Sequence, residues 1–254
     1  RLLVSIIDGG VDYIVLMGTT GESAVLSKEE KKDILKLIDR VLSKGNLILT
    51  KEVQKFEESI CSYTGAKYCV GLNSGTDALM SSLWGCNIKK KDEVITSPLS
   101  FVATANSIIH VGAKPVFVDV GDDLNINPDL IENAITKKTK AIIAVHLYGN
   151  LCDMDKILKI GKKYNIPIIE DSAEAIGSIY KGKRAGSMGI FGTFSFHGTK
   201  TITTGEGGMF VTNSKKLYEK VLTLSNHGRS KKQKKQFWPE FAGFKYKISN
   251  IQAA

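Results

Sequence analysis

The chain is poor in cysteine and has no long apolar segment. Its 254 residues include only four cysteines and no CxxC pair, so a disulfide framework and a cysteine-based metal site are both disfavoured. No run of 18 or more apolar residues occurs, and no charged leader precedes an apolar segment and a cleavage site. We therefore expect a cytoplasmic protein without a metal, whose cysteines are reduced thiols: Cys61, Cys69, Cys86 and Cys152.

Acidic residues are outnumbered by basic ones, 26 against 35, which gives a formal charge of +9. Five of the basic residues fall in the run GRSKKQKKQ, which begins at Gly228. Such a run is typical of a solvated loop, although it also attracts nucleic acid or an anionic substrate. Because no nucleic-acid fold signature accompanies the run, we expect no nucleic-acid partner.

Short β-branched segments alternate with helical segments from about residue 66 onward. Most gaps between them are long enough for a helix, which is typical of an α/β fold with a mostly parallel sheet and helices on both faces. The last segment follows its predecessor through a short glycine-rich link, so one antiparallel neighbour is expected. Ligands bind such sheets at the carboxyl ends of the strands. The seven predicted strands are KYCVGL, DEVITS, KPVFVDV, KAIIAVHLYG, IPIIEDS, GTFSF and GGMFVTN.

Residues suited to chemistry follow four of these strands. The segment NSGTDALM opens a helix whose first amides suit a phosphate, although Ser and Thr are also ordinary helix caps. Phe101, Asp171 and Lys200 follow three other strands, and each alone has a plain explanation as a core ring, a turn former or a solvated lysine. Together they match the needs of pyridoxal phosphate: a lysine for its aldehyde, an acid for its ring nitrogen and a cradle for its phosphate.

Three segments carry a family resemblance. NSGTDAL, IIEDSAEAIGS and SFHGTKTITTGEGGM, in this order and spacing, resemble the DegT/DnrJ/StrS nucleotide-sugar aminotransferases of the type I pyridoxal-phosphate fold, over about residues 45–254. HLYGNLCDMD and FWPEFAGFKYKISNIQAA are most similar to the perosamine-synthase branch of that family. The resemblance implies transfer of an amino group from glutamate to a nucleotide-linked 4-keto-6-deoxy sugar.

The resemblance also implies roles for individual residues. Lys200 falls where the family's lysine holds the cofactor aldehyde, Asp171 where an acid pairs with the pyridine nitrogen, and Phe101 where a ring stacks on the cofactor. The related sugar dehydratases carry His in place of this lysine, so Lys200 favours transfer over dehydration. The resemblance also implies three contacts to the cofactor phosphate, from Thr76, from Asp77 through its backbone, and from Ser195. It implies that Glu174 lies beside the phenolic oxygen of the cofactor.

The resemblance further implies a homodimer with a shared active site. Family members reach the phosphate of the neighbouring subunit with a residue of the region that reads GFKYK here, and that residue is often Asn. This chain has Lys245 and Lys247 in the region instead.

The first stretch resembles a different family. VDYIVLMGTTGESAVLSKEEKKDILKLIDRV predicts a buried strand, a turn and an amphipathic helix with Ser27 as its N-cap, and it is similar to a β/α unit of dihydrodipicolinate synthase, a TIM barrel. Thr19 and Thr20 fall where that family contacts pyruvate, but the strand that carries its lysine is absent. Fewer than two of the eight barrel units are present, so a barrel does not close.

We therefore predict a TIM-barrel-type β/α fragment over residues 1–40 and an aminotransferase large domain over residues 41–254, truncated before the small C-terminal domain, with the join between residues 36 and 45. Two alternatives stay open. One is an inactive composite fragment, and the other is a Schiff-base lyase of the dihydrodipicolinate-synthase type, which is disfavoured because its lysine is missing.

Overall fold

A computed structural model describes residues 27–45, 47–48, 50–235 and 238–254 of the chain. Thr19, Thr20 and the strand predicted just before them lie outside these residues. The domain boundary near residue 40 stays a prediction. None of the helices in the described ranges combines the length and the apolar character needed to cross a bilayer.

The helices of the described residues alternate with strands along most of the chain, as the spacing predicts. A 3₁₀ turn, Leu147–Gly149, follows the fourth strand. The helices are α1 (Lys28–Lys44), α2 (Lys51–Thr64), α3 (Gly75–Gly85), α4 (Ala103–His110), α5 (Pro128–Ala134), α6 (Met154–Tyr164), α7 (Lys215–Leu224) and α8 (Asn250–Ala253).

Seven strands form one sheet in the order β1-β9-β8-β5-β4-β2-β3, and β6 and β7 form a separate hairpin. Neighbouring strands from β8 to β3 are parallel, whereas β9 is antiparallel to both β1 and β8. The predicted mostly parallel sheet of seven strands, with GGMFVTN as the antiparallel member, is thus confirmed. The strands are β1 (Tyr68–Leu72), β2 (Glu93–Thr96), β3 (Lys114–Phe117), β4 (Thr139–Val145), β5 (Ile168–Asp171), β6 (Ile179–Tyr180), β7 (Lys183–Arg184), β8 (Phe191–Ser195) and β9 (Gly208–Thr212).

The central strands are buried on both faces. In β4, Ile142 packs into a cluster that includes Ile157 of α6, whereas Ile143 packs into the opposite cluster with Leu79 of α3. Successive strand side chains point to opposite faces of a sheet, so these contacts place helices on both faces. Burial on both faces also explains why the strand sequences are nearly continuous apolar runs.

Helix α1 has the start that the sequence predicts. The Ser27 hydroxyl accepts the Glu30 N–H at 3.1 Å, and the Glu30 carboxylate accepts the Ser27 N–H at 2.8 Å. This reciprocal capping box satisfies two of the helix's unpaired donors. The helix ends at Gly45, whose φ of 67° is the left-handed conformation that glycine adopts without steric cost.

The cysteines are free thiols, as expected from their number and spacing. Cys61 of α2 and Cys69 of β1 lie side by side, with their Sγ atoms 2.8 Å apart. Burial raises the pKa of Cys86 to about 12 and also raises that of Cys152, so these two thiols are poor nucleophiles at neutral pH.

Candidate active site

A cavity of about 410 Å³ opens at the carboxyl ends of β4, β5 and β8, beside the first turn of α3. The sheet topology brings these chain segments together although they are far apart in sequence. Six of the seven residues predicted from the sequence line this cavity: Thr76, Phe101, Asp171, Glu174, Ser195 and Lys200.

Lys200 lies on the loop after β8, and its side chain is 17% exposed. Its Nζ donates to Glu174 Oε1 at 3.1 Å. The other Glu174 oxygen accepts the backbone N–H of Tyr148 at 2.9 Å. Tyr148 adopts a left-handed conformation, with φ of 51°, which is unusual for a residue other than glycine. The 3₁₀ turn after β4 thus fixes Glu174, and Glu174 in turn holds the lysine in the cavity.

Asp171 ends β5 and is only 5% exposed. Its Oδ2 accepts the Thr104 hydroxyl at 2.8 Å, and its Oδ1 accepts the Ala173 N–H at 3.3 Å. Burial raises the pKa of Asp171, while these hydrogen bonds and the charge of Lys200 act in the opposite direction. A buried carboxylate of this kind is stabilised by a cationic N–H donor placed in the cavity.

The first turn of α3 is packed tightly against the end of β8. A Cβ on Gly75 would lie 2.8 Å from the Cβ of Ser195, and a Cβ on Gly208 would lie 2.1 Å from the Ser74 carbonyl oxygen. Glycine at these two positions therefore lets Ser195 of β8 and the start of β9 approach the helix start. The first amides of a helix have no partner within the helix, so this corner suits an anionic group.

Asp77 is the one predicted residue that does not line the cavity. Its backbone N–H donates to the Ser74 hydroxyl at 3.0 Å, as part of the N-cap of α3. Burial raises the pKa of the Asp77 side chain. Gly75 and Thr76, which precede Asp77 at the start of α3, do line the cavity.

Sequence reasoning missed two buried polar residues that line the cavity, Thr104 and His146. The Nδ1 atom of His146 accepts the Cys152 N–H at 3.2 Å, so Nε2 carries the proton that is shared with Glu170 Oε2 at 3.0 Å. The His146 backbone N–H also donates to the Asp171 carbonyl at 3.0 Å. His146 lies near the end of one predicted strand and Thr104 lies in the segment that follows another, and neither position marks the residue as functional.

The GFKYK segment lies along the outer side of β1 in the same chain. The Asn73 backbone N–H donates to the Tyr246 carbonyl at 2.9 Å, and its side-chain amide donates to the Lys245 carbonyl at 3.0 Å. Lys247 Nζ donates to Asn226 Oδ1 at 2.7 Å. Lys245 is exposed beside the segment that leads into α3.

Two family models match the chain. The model of the DegT/DnrJ/EryC1/StrS aminotransferase family covers residues 28–254, and that of the dihydrodipicolinate synthetase family covers residues 1–53. Both resemblances predicted from the sequence are therefore confirmed.

Individual relatives agree with the match to the aminotransferase family. The uncharacterized protein MJ1066 of Methanocaldococcus jannaschii is 46% identical over 88% of this chain and 60% of its own length. GDP-perosamine synthase of Caulobacter vibrioides is 42% identical over 90% of this chain and 61% of its own length. The Spr1654 protein of Streptococcus pneumoniae, solved in its PLP form, superposes with a TM-score of 0.81 at 32% identity, over 87% of this chain and 62% of that one.

The chain thus spans about three fifths of the length of the curated relatives that it matches. The match extends over most of the described residues and includes the helices and strands that build the cavity. The chain belongs to the DegT/DnrJ/EryC1/StrS aminotransferase family.

Proposed function

We propose that this chain carries the cofactor-binding part of a pyridoxal-phosphate-dependent aminotransferase, which moves an amino group from glutamate to a nucleotide-linked 4-keto-6-deoxy sugar. The observation that carries the proposal is the cavity that joins Lys200, the buried Asp171 and the start of α3. The Caulobacter relative's name, GDP-perosamine synthase, supports the substrate class. We place the reaction in the cytoplasm, where thiols such as those of this chain stay reduced.

The residues of the cavity fit the chemical groups of pyridoxal phosphate. Lys200 offers a primary amine for the aldehyde, and Asp171 offers a buried carboxylate for the ring N–H. The ring of Phe101, 71% exposed, offers an uncovered apolar face for stacking. Glu174 would lie beside the phenolic oxygen. The phosphate would lie at the first turn of α3, where its contacts are Thr76, Ser195 and the backbone near Asp77.

When bound, pyridoxal phosphate supplies an aldehyde that accepts the amino group and a ring that delocalises negative charge from the substrate carbon. Asp171 would keep the ring nitrogen protonated, because a carboxylate at this position stabilises the N–H cation. Lys200 Nζ would be the base that removes the proton from the glutamate carbon and the acid that returns one to the sugar carbon. Glu174, fixed by the Tyr148 N–H, keeps Nζ inside the cavity during this exchange.

The alternative of a Schiff-base lyase has less support. Its family model covers residues 1–53, against residues 28–254 for the aminotransferase model. The cavity that contains Lys200 lies wholly within the second range.

A half-reaction assay tests the proposal. Purified chain with pyridoxal phosphate in excess is expected to convert glutamate to 2-oxoglutarate in one turnover per occupied site, and then to aminate a member of a panel of 4-keto-6-deoxy sugar nucleotides. A lyase would instead bind pyruvate covalently, and borohydride reduction would then fix the pyruvate on the protein. Binding of the cofactor without any half-reaction would favour the inactive composite fragment.

We also propose that the site is completed by a second copy of the chain. Two large rings beside the cavity, those of Phe101 and Tyr148, are 71% and 83% exposed, and we infer that a second copy covers part of this surface. We expect the 254-residue chain alone to bind pyridoxal phosphate weakly and to elute as a mixture of dimer and larger species. A longer chain that spans the full length of the relatives is expected to give one dimer.

Size-exclusion chromatography with light scattering measures this assembly directly. A monodisperse monomer of the 254-residue chain with stoichiometric cofactor would show that one subunit holds the whole site, and it would contradict the shared-site proposal.

A further inference from the structure

Thr104 lies in the first turn of α4 and is 1% exposed. Its hydroxyl donates to Asp171 Oδ2 at 2.8 Å, across 67 positions of sequence. Among the described residues, this is the shortest hydrogen bond recorded to the Asp171 carboxylate. A buried hydroxyl on one wall of the cavity is thus aimed at a carboxylate on another wall.

The surroundings fix Asp171 from three directions. Thr104 binds Oδ2, the Ala173 N–H binds Oδ1, and the His146 N–H binds the main-chain oxygen. A carboxylate has about four acceptor positions, so the two donors to its side chain leave acceptor capacity for a group in the cavity. The Thr104 hydroxyl has one proton, and in donating it to Oδ2 it favours the ionised form of the acid.

The position of Thr104 is not explained by the needs of its own helix. The cap of α4 at Val102 has no side-chain hydrogen bond. The Thr104 backbone N–H already donates to the Phe101 carbonyl, and its hydroxyl reaches a different element of the fold. A helix hydroxyl often bonds to a carbonyl of its own preceding turn instead.

We propose that Thr104 is a positioning residue for the cofactor: its hydroxyl holds the Asp171 carboxylate ionised and oriented for the pyridine N–H of pyridoxal phosphate. This inference rests on the proposed function. Burial raises the pKa of Asp171 and the Thr104 hydrogen bond lowers it. Without the hydroxyl, the protonated and more mobile acid is therefore favoured, and it is a poorer partner for a cationic N–H.

The test measures the Kd of pyridoxamine phosphate for the 254-residue chain by absorbance or fluorescence titration. This form of the cofactor has no aldehyde, so its affinity does not include the covalent bond to Lys200. Thr104→Val keeps the shape of the side chain and removes the hydroxyl, and we expect it to weaken binding about tenfold. Thr104→Ser restores the hydroxyl and is expected to bind within about twofold of the unchanged protein.

Thr96→Val is the matched control. Thr96 is also fully buried and its hydroxyl donates to the Ile143 carbonyl, but it does not line the cavity. It is expected to leave the Kd unchanged. Thermal unfolding of the unloaded variants separates a general loss of stability from a loss of affinity.

A double-mutant cycle assigns the effect to Asp171. In an Asp171→Ala background, we expect Thr104→Val to cause no further loss of affinity. The inference is overturned if Thr104→Val binds as tightly as the unchanged protein, or if its loss persists in the Asp171→Ala background. Failure of the unchanged chain to bind either form of the cofactor would overturn the proposed function, and this inference with it.

Discussion

Replacing Lys200 with alanine is expected to abolish covalent retention of pyridoxal phosphate and to slow transamination by roughly 10³-fold or more, because the variant lacks the amine that moves the proton. The fold should persist. Lys200 lies on the loop after β8, outside the strands and helices that build the fold, so we expect its loss to leave the sheet intact. Gel filtration of the loaded protein measures cofactor retention, and single-turnover kinetics with glutamate measure the reaction.

Lys163→Ala is a suitable control for that variant. Lys163 also pairs with a glutamate, Glu132, but on the exposed surface of α6. It should change neither cofactor retention nor rate. If Lys200→Ala still retained cofactor covalently, another lysine would be the functional one.

Asp171→Asn is expected to keep the cofactor bound but to lower transamination by several orders of magnitude. Asparagine has nearly the same shape, but it has no charge to keep the pyridine nitrogen protonated. The ring then loses its capacity to delocalise negative charge from the substrate carbon. Near-normal single-turnover rates in this variant would remove Asp171 from the mechanism.

The same substitution is not expected to destabilise the unloaded protein at neutral pH. Burial raises the pKa of Asp171 in the folded state above its unfolded value. The folded protein therefore binds this proton more tightly than the unfolded chain does. The folded state loses stability as the pH rises from the unfolded to the folded pKa of Asp171. Asparagine does not titrate, so this loss is absent from the variant. Asp129→Asn, at an exposed ion pair with Lys156, is the matched control for rate and stability.

The sequence predicted the sheet well because its strands carry a strong physical signal. Residues such as Ile142 and Ile143 in β4 are buried on opposite faces of the sheet. A strand that is buried on both faces has a nearly continuous run of β-branched apolar residues, and such a run is visible in the sequence. The link between β8 and β9, residues 196–207, contains no helix, which agrees with the antiparallel direction expected for β9. The start of α1 was equally local, because a capping box joins residues only three positions apart.

The sequence predicted those site residues whose side-chain type is unusual at the end of a strand and has a specific chemical role toward the cofactor. A lysine, an acid and an aromatic ring at strand ends stand out, and Lys200, Asp171 and Phe101 line one cavity. Thr104 and His146 do not stand out, because a buried hydroxyl or imidazole has many structural explanations. Their contacts to Asp171 and Glu170 depend on the tertiary arrangement, and the left-handed backbone of Tyr148 that fixes Glu174 has no sequence signature.

The most direct test of the cavity as the cofactor site is borohydride reduction of the 254-residue chain with one equivalent of pyridoxal phosphate, followed by proteolysis and mass mapping of the labelled peptide. The cavity geometry predicts a single major adduct on Lys200. An adduct on a different lysine, or label spread over surface lysines with none on Lys200, would contradict it.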